Sequence, residues 1–135
     1  MRLVLLAAAL VATACYSGDN MLDAGSPGDV RLRRGHTVEI GPEPLSITFA
    51  DVLADSRCPI DVVCPWAGDG QIQVGLALGD GPTTTAMLQT NGPSTAVTVG
   101  SYTVTLLSLS PDPVSTAPIP PDAYEASLRV HQLEP

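Results

Sequence analysis

Gln71-Ile72-Gln73-Val74-Gly75-Leu76-Ala77-Leu78 is the stretch that decides the fold. Successive side chains of an extended strand point to opposite faces, so Ile72, Val74, Leu76 and Leu78 make one apolar face while Gln71, Gln73, Gly75 and Ala77 make the other. The same period of two continues outward in both directions. Upstream, Leu45, Ile47 and Phe49 alternate with Ser46, Thr48 and Ala50. Downstream, Tyr102, Val104 and Leu106 alternate with Thr103 and Thr105, and Tyr124, Ala126, Leu128 and Val130 alternate with Glu125, Ser127, Arg129 and His131. Weaker runs cover 30–40, 83–88 and 95–99, which brings the expectation to about seven strands. Gly41-Pro42, Gly79-Asp80-Gly81-Pro82, Asn91-Gly92-Pro93 and Gly100-Ser101 separate them with turn-forming chemistry. Past the N-terminal leader no 3.6-residue period occurs; one helical turn around 50–54 is the most that is expected. Short strands with tight connections predict an all-β domain, an antiparallel sandwich or a small Greek-key-like barrel. Aromatic residues are few, so Trp66, Phe49, Tyr102 and Tyr124 are the expected large anchors of its core.

The N-terminus reads differently. Arg2 precedes an apolar run from Leu3 to Val11, followed by Ala12-Thr13-Ala14-Cys15. A positive start, a short apolar core and small residues form a secretory leader, and the run is far below the roughly 18 residues a membrane-spanning helix needs. A cysteine directly after the small residues resembles the lipobox of bacterial lipoproteins, with Ala12 where those usually carry a larger aliphatic. The resemblance implies a signal peptide at 1–14 and a lipidated Cys15 that anchors the chain to a membrane. The same bond also fits an Ala-x-Ala site for ordinary signal peptidase, which would release the domain with Cys15 as a free thiol. From 16 to 29 the chain is rich in Gly, Ser, Asp and Pro and reads as a flexible tether, leaving 30–135 as a single β domain.

The formal net charge is −8, with 14 acidic residues against 6 arginines and no lysine. That balance argues against nucleic acid as a partner, because phosphate recognition depends on clustered basic side chains. Arg31, Arg33 and Arg34 form the one basic cluster, and Asp29 and Glu39 flank it, as on a solvated strand face.

With Cys15 assigned to lipid, Cys58 and Cys64 remain as a pair, and outside the cytoplasm such a pair normally oxidises. A loop this short gains only about 2 kcal/mol from closure, so the expected disulfide mainly fixes local shape. Metal is not expected: two cysteines make half a zinc site, and His36 and His131 lie far away in sequence. No cofactor motif is present.

Residues 49–68 read Phe-Ala-Asp-Val-Leu-Ala-Asp-Ser-Arg-Cys-Pro-Ile-Asp-Val-Val-Cys-Pro-Trp-Ala-Gly. The segment resembles a pattern of exported bacterial proteins, many of them lipoproteins, written F-x-x-V-x-x-D-S-R-C-P-x-x-x-x-C-x-W-A-G. The Tyr102-Thr-Val-Thr-Leu run, the Ser110-Pro111 turn and the Tyr124 strand are similar as well, so the resemblance covers most of 30–133. It implies an exported β domain and implies no reaction. Read physically, the segment is a cross-linked lid between two strands. Arg57 can bond bidentately to Asp55, Asp51 or Asp61, Trp66 can cover the disulfide or enter the core, and Gly68 and Gly70 let the backbone turn. The functional reading is that the rigid loop presents Asp55, Ser56, Arg57 and Trp66 to a partner.

A second long connection, Pro111 to Pro121, is stiffened by proline; it reads as a crossover between sheets or as a further contact loop. Catalysis finds little support. A nucleophile needs an adjacent base, yet His36 is placed in a hairpin turn and His131 on the outward face of the last strand. The expectation is a lipid-anchored envelope binding module, without enzymatic activity, that contacts another envelope or extracellular protein. The alternatives are a secreted peptidase inhibitor and, behind it, a hydrolase.

Overall fold

Period two in the sequence becomes alternate burial in the structure. The computed structural model describes residues 28–134, as eight strands and one short 3-10 turn at Pro121–Ala123. The strands are β1 (Gly28–Arg33), β2 (Thr37–Ile40), β3 (Leu45–Asp55), β4 (Gly70–Leu78), β5 (Thr84–Gln89), β6 (Ala96–Val99), β7 (Tyr102–Ser110) and β8 (Glu125–Gln132). They pair antiparallel into two sheets, β1-β8-β7-β6 and β2-β3-β4-β5. The fold is therefore all-β, and of the two expected architectures it is the sandwich.

Inward residues of the two sheets meet in one apolar cluster. Val30, Leu32, Val104, Leu106, Leu128 and Val130 come from the first sheet, Leu45, Ile47, Phe49, Ile72, Val74, Leu76 and Leu88 from the second. Each fully buried aliphatic or aromatic side chain contributes about 1.5–3 kcal/mol over its exposed state. Phe49, Tyr102 and Tyr124 are buried as expected. Tyr102 also donates its hydroxyl to the Glu43 carbonyl at 3.1 Å, which supplies the polar partner a buried phenol needs.

Several expectations are corrected. The run 30–40 is two strands, not one: Gly35, with φ of 84°, turns the chain from β1 in one sheet to β2 in the other. The turn that holds His36 is consequently a bridge between sheets and not a hairpin. No helical turn forms at 50–54; β3 runs through to Asp55, with irregular register between Phe49 and Asp51 and between Val52 and Ala54. Residues 28 and 29, assigned to the tether, belong to β1 and pair with Val130 and Arg129. Signal peptide, lipidation at Cys15 and the rest of the tether lie outside the described residues. The proline-rich connection is no crossover, because it joins β7 to β8, neighbours in the same sheet.

Strand directions give the sandwich two distinct ends. One end carries Asp55 and Gly70, paired across β3 and β4, and Ser110 and Glu125, paired across β7 and β8. Gly28, Gln132 and Tyr102 lie at the other.

Candidate functional site

Residues 56–69 leave the sandwich between Asp55 and Gly70, and their two ends are fastened by half-buried polar contacts. The Asp55 carboxylate accepts from Arg57 Nε at 2.7 Å and Nη2 at 2.8 Å, a bidentate pair, and from the Tyr124 hydroxyl at 2.9 Å. Arg57 then reaches across to the first sheet. Its Nη1 donates to the Leu109 carbonyl and its Nη2 to the Pro111 carbonyl at 3.0 Å. One guanidinium thus ties the end of β3 to the end of β7 and the start of the proline-rich connection. The side chains of Arg57 and Asp55 are only 12% and 13% exposed.

These contacts set the protonation of the group. Burial works to raise the Asp55 pKa, but the hydrogen bonds from Arg57 and Tyr124 outweigh it and hold the carboxyl below the ordinary carboxylate value. The bond to Asp55 raises Arg57 in turn. Burial and then the bond to Asp55 raise the Tyr124 phenol.

The returning end is held by Asp69. Burial again opposes ionisation, while the Asn91 amide at 3.0 Å, Gln71 at 3.2 Å, Gln89 at 2.9 Å and the Thr90 hydroxyl at 3.2 Å donate to its carboxylate and lower its pKa. The Ser56 hydroxyl donates to the Asp69 carbonyl and accepts from the Asp69 amide, both at 3.1 Å, closing the two ends on each other. Gly68 is required here. Its φ is 70°, and a Cβ would collide with the Ser56 carbonyl oxygen.

Farther out, Cys58 and Cys64 form the expected disulfide, with Cα atoms 5.9 Å apart. The loop also leans on the proline-rich connection. The Ile60 amide donates to the Pro113 carbonyl at 3.0 Å, and Asp61 accepts from the Ser115 amide at 2.9 Å and from its hydroxyl. A groove of about 460 Å³ runs along this seam, bordered by Arg57, Pro59, Pro113, Val114, Ile119 and Tyr124.

Beyond the ties, the loop turns its greasy residues outward. Val63 is 100% exposed, Trp66 79%, Ile60 70% and Val62 43%. Trp66 therefore does not anchor the core, contrary to expectation, because the sandwich interior is already filled by the alternating strand residues.

The four residues singled out for partner binding separate into two kinds. Asp55 and Arg57 are half-buried and engaged within the fold, and Ser56 is exposed but bonded to Asp69. Trp66 alone of them is free for a partner. Ile60, Val62 and Val63 join it, and sequence reasoning passed over them; three large apolar residues between Cys58 and Cys64, with Trp66 two positions beyond, were the available signal. Asp69 gave no such signal, since Gln89, Thr90 and Asn91 lie about twenty residues away.

The remaining candidates are dispersed. Arg34 pairs with Asp51 at 2.8 Å and Arg33 approaches Glu125 at 3.8 Å, while Arg31 stands exposed on β1, so the basic cluster is divided. His36 and His131 are both exposed and lie toward opposite ends of the sandwich. Among the described residues no group of three or more His, Cys, Asp and Glu side chains is placed to hold a metal.

The fold and its outward-facing loop define a disulfide-fastened β-sandwich. Comparisons with protein-family models, curated proteins and solved structures give no match for this chain.

Proposed function

We propose that this chain is a binding module of a bacterial envelope, exported by its leader, held to a membrane by lipid on Cys15, and acting through the tip of the 56–69 loop together with the adjoining 111–121 segment. One observation carries the reading: Ile60, Val62, Val63 and Trp66 are exposed on a backbone fixed by a disulfide, by Arg57 and by Asp69. Exposed apolar residues on a rigid loop lower the ordering cost of association and supply aromatic and aliphatic anchors. Among the described residues, β1 begins at Gly28, at the end of the sandwich opposite the 56–69 loop.

The test is cross-linking in the intact envelope of the exporting cell with the Val63→Asp, Trp66→Ala double variant beside the parent. Loss of a cross-linked protein is the expected result, and retention of every one would overturn the surface assignment. Arg57 is unsuited to this test, because it acts inside the fold. Intact mass of the mature protein reports the anchor: a lipid-modified Cys15 at the new N-terminus is expected, and an unmodified Cys15 would remove the anchoring part of the proposal.

A peptidase inhibitor is the second reading, favoured by Val63 standing fully exposed just before Cys64 in a closed loop, where a residue could enter a specificity pocket. Titration against a panel of secreted proteases separates the two, with inhibition that vanishes in Val63→Asp as the supporting result.

A further inference from the structure

Charge at the loop-bearing end restricts what the apolar tip can meet. Every guanidinium there is already neighbour to a carboxylate: Arg57 to Asp55, Arg34 to Asp51 and Arg33 to Glu125. Four carboxylates are left over. Asp61 is held by Ser115 and Asp69 by neutral donors, while Asp112 and Asp122 are exposed on the 111–123 segment, and none of the four has a cation within ion-pair distance among the described residues. The tip is therefore a greasy knob with an anionic surround, and the one guanidinium among the described residues without a carboxylate partner, Arg31, stands farther back along β1.

We infer that this knob is shaped for a protein groove that is apolar at its floor and lined with lysine or arginine at its rim, an inference that rests on the binding reading above. Complementary potentials favour such a groove, and like-charge repulsion disfavours both a second copy of this chain and an anionic lipid surface.

Trp66 is the only tryptophan, so its emission reports directly on the tip. The full mature protein is titrated with an amphipathic leucine-lysine peptide, its leucine-glutamate counterpart and phosphatidylglycerol vesicles, and its self-association is followed by sedimentation. A blue shift with the leucine-lysine peptide alone is expected, weakening at least tenfold between 50 and 500 mM salt as steering between opposite charges requires. The Asp61→Asn, Asp112→Asn, Asp122→Asn variant should bind at least fivefold more weakly. Val63→Asp is the decisive control, because it adds negative charge while spoiling the apolar surface. Weaker binding supports docking of the knob, whereas unchanged or tighter binding means mere charge adhesion and overturns the inference. Equal response to the leucine-glutamate peptide, to the vesicles, or self-association through the tip would overturn it too. A Val63-dependent partner in the cross-linking experiment without discrimination between the peptides removes the charge inference and leaves the binding reading. Absence of any Val63-dependent partner removes the binding reading itself.

Discussion

The base and the tip of one loop obey opposite rules. At the base, charged residues Asp55, Arg57 and Asp69 are drawn inward and each is met by several hydrogen-bonding partners; at the tip, Ile60, Val62, Val63 and Trp66 are turned out to water with none of the sandwich interior to cover them. A chain optimised only for its own stability would arrange these the other way. Polar groups brought out of water cost free energy unless bonded, and exposed apolar groups forgo the gain of burial. The base accordingly spends its chemistry on rigidity, and the tip presents surface.

Perturbing each region in turn should break this contrast in proportion. Arg57→Ala leaves Asp55 half-buried without its ion partner and frees the Leu109 and Pro111 carbonyls, so a loss of about 3 kcal/mol is expected in urea unfolding. A loss below about 1 kcal/mol would mean the base is ornamental. Replacing both Cys58 and Cys64 by serine should cost about 2 kcal/mol, less than Arg57, since so short a loop loses little chain entropy on closure. A larger loss than Arg57→Ala would reverse the order of the two fastenings.

A gentler perturbation is pH. Asp55 and Asp69 have folded pKa values below their unfolded ones, so their contribution is complete above the ordinary carboxylate value near 3.8 and is lost as pH falls through the lower folded values. The stability these two groups supply should therefore fade below about pH 4. Asp69→Asn should flatten that decline, seen as urea midpoints measured from pH 7 to pH 2. Smallest of all, Val63→Asp should shift unfolding by no more than about 0.5 kcal/mol, because nothing in the fold leans on that side chain. A clear destabilisation would show that the tip is structural after all.

Much of the sandwich was legible because burial on one face imposes strict alternation, as at Ile72, Val74 and Leu76. Where alternation failed, a local irregularity was responsible. Around 50–54 the shifts of register in β3 set two residues against one, and the broken period imitates a helical turn. In the run 30–40 the turn before His36 was legible, but not that it passes from one sheet to the other, because a hairpin and an inter-sheet bridge can use the same glycine turn. Trp66 was misplaced for another reason. A large ring is usually buried, but it follows Pro65 in a loop with no alternating neighbours to carry it inward. In the base, the Asp55 and Arg57 pairing could be anticipated from adjacency, whereas Leu109, Tyr124 and the donors to Asp69 are supplied by strands distant in sequence.

The position of β8 between β1 and β7 bears on synthesis. Val30 and Leu32, among the earliest described residues, find their hydrogen-bonded neighbours only in Leu128 and Ala126. The first sheet therefore cannot close until β8 has emerged from the ribosome, whereas β2 to β5 can pair into the second sheet without it.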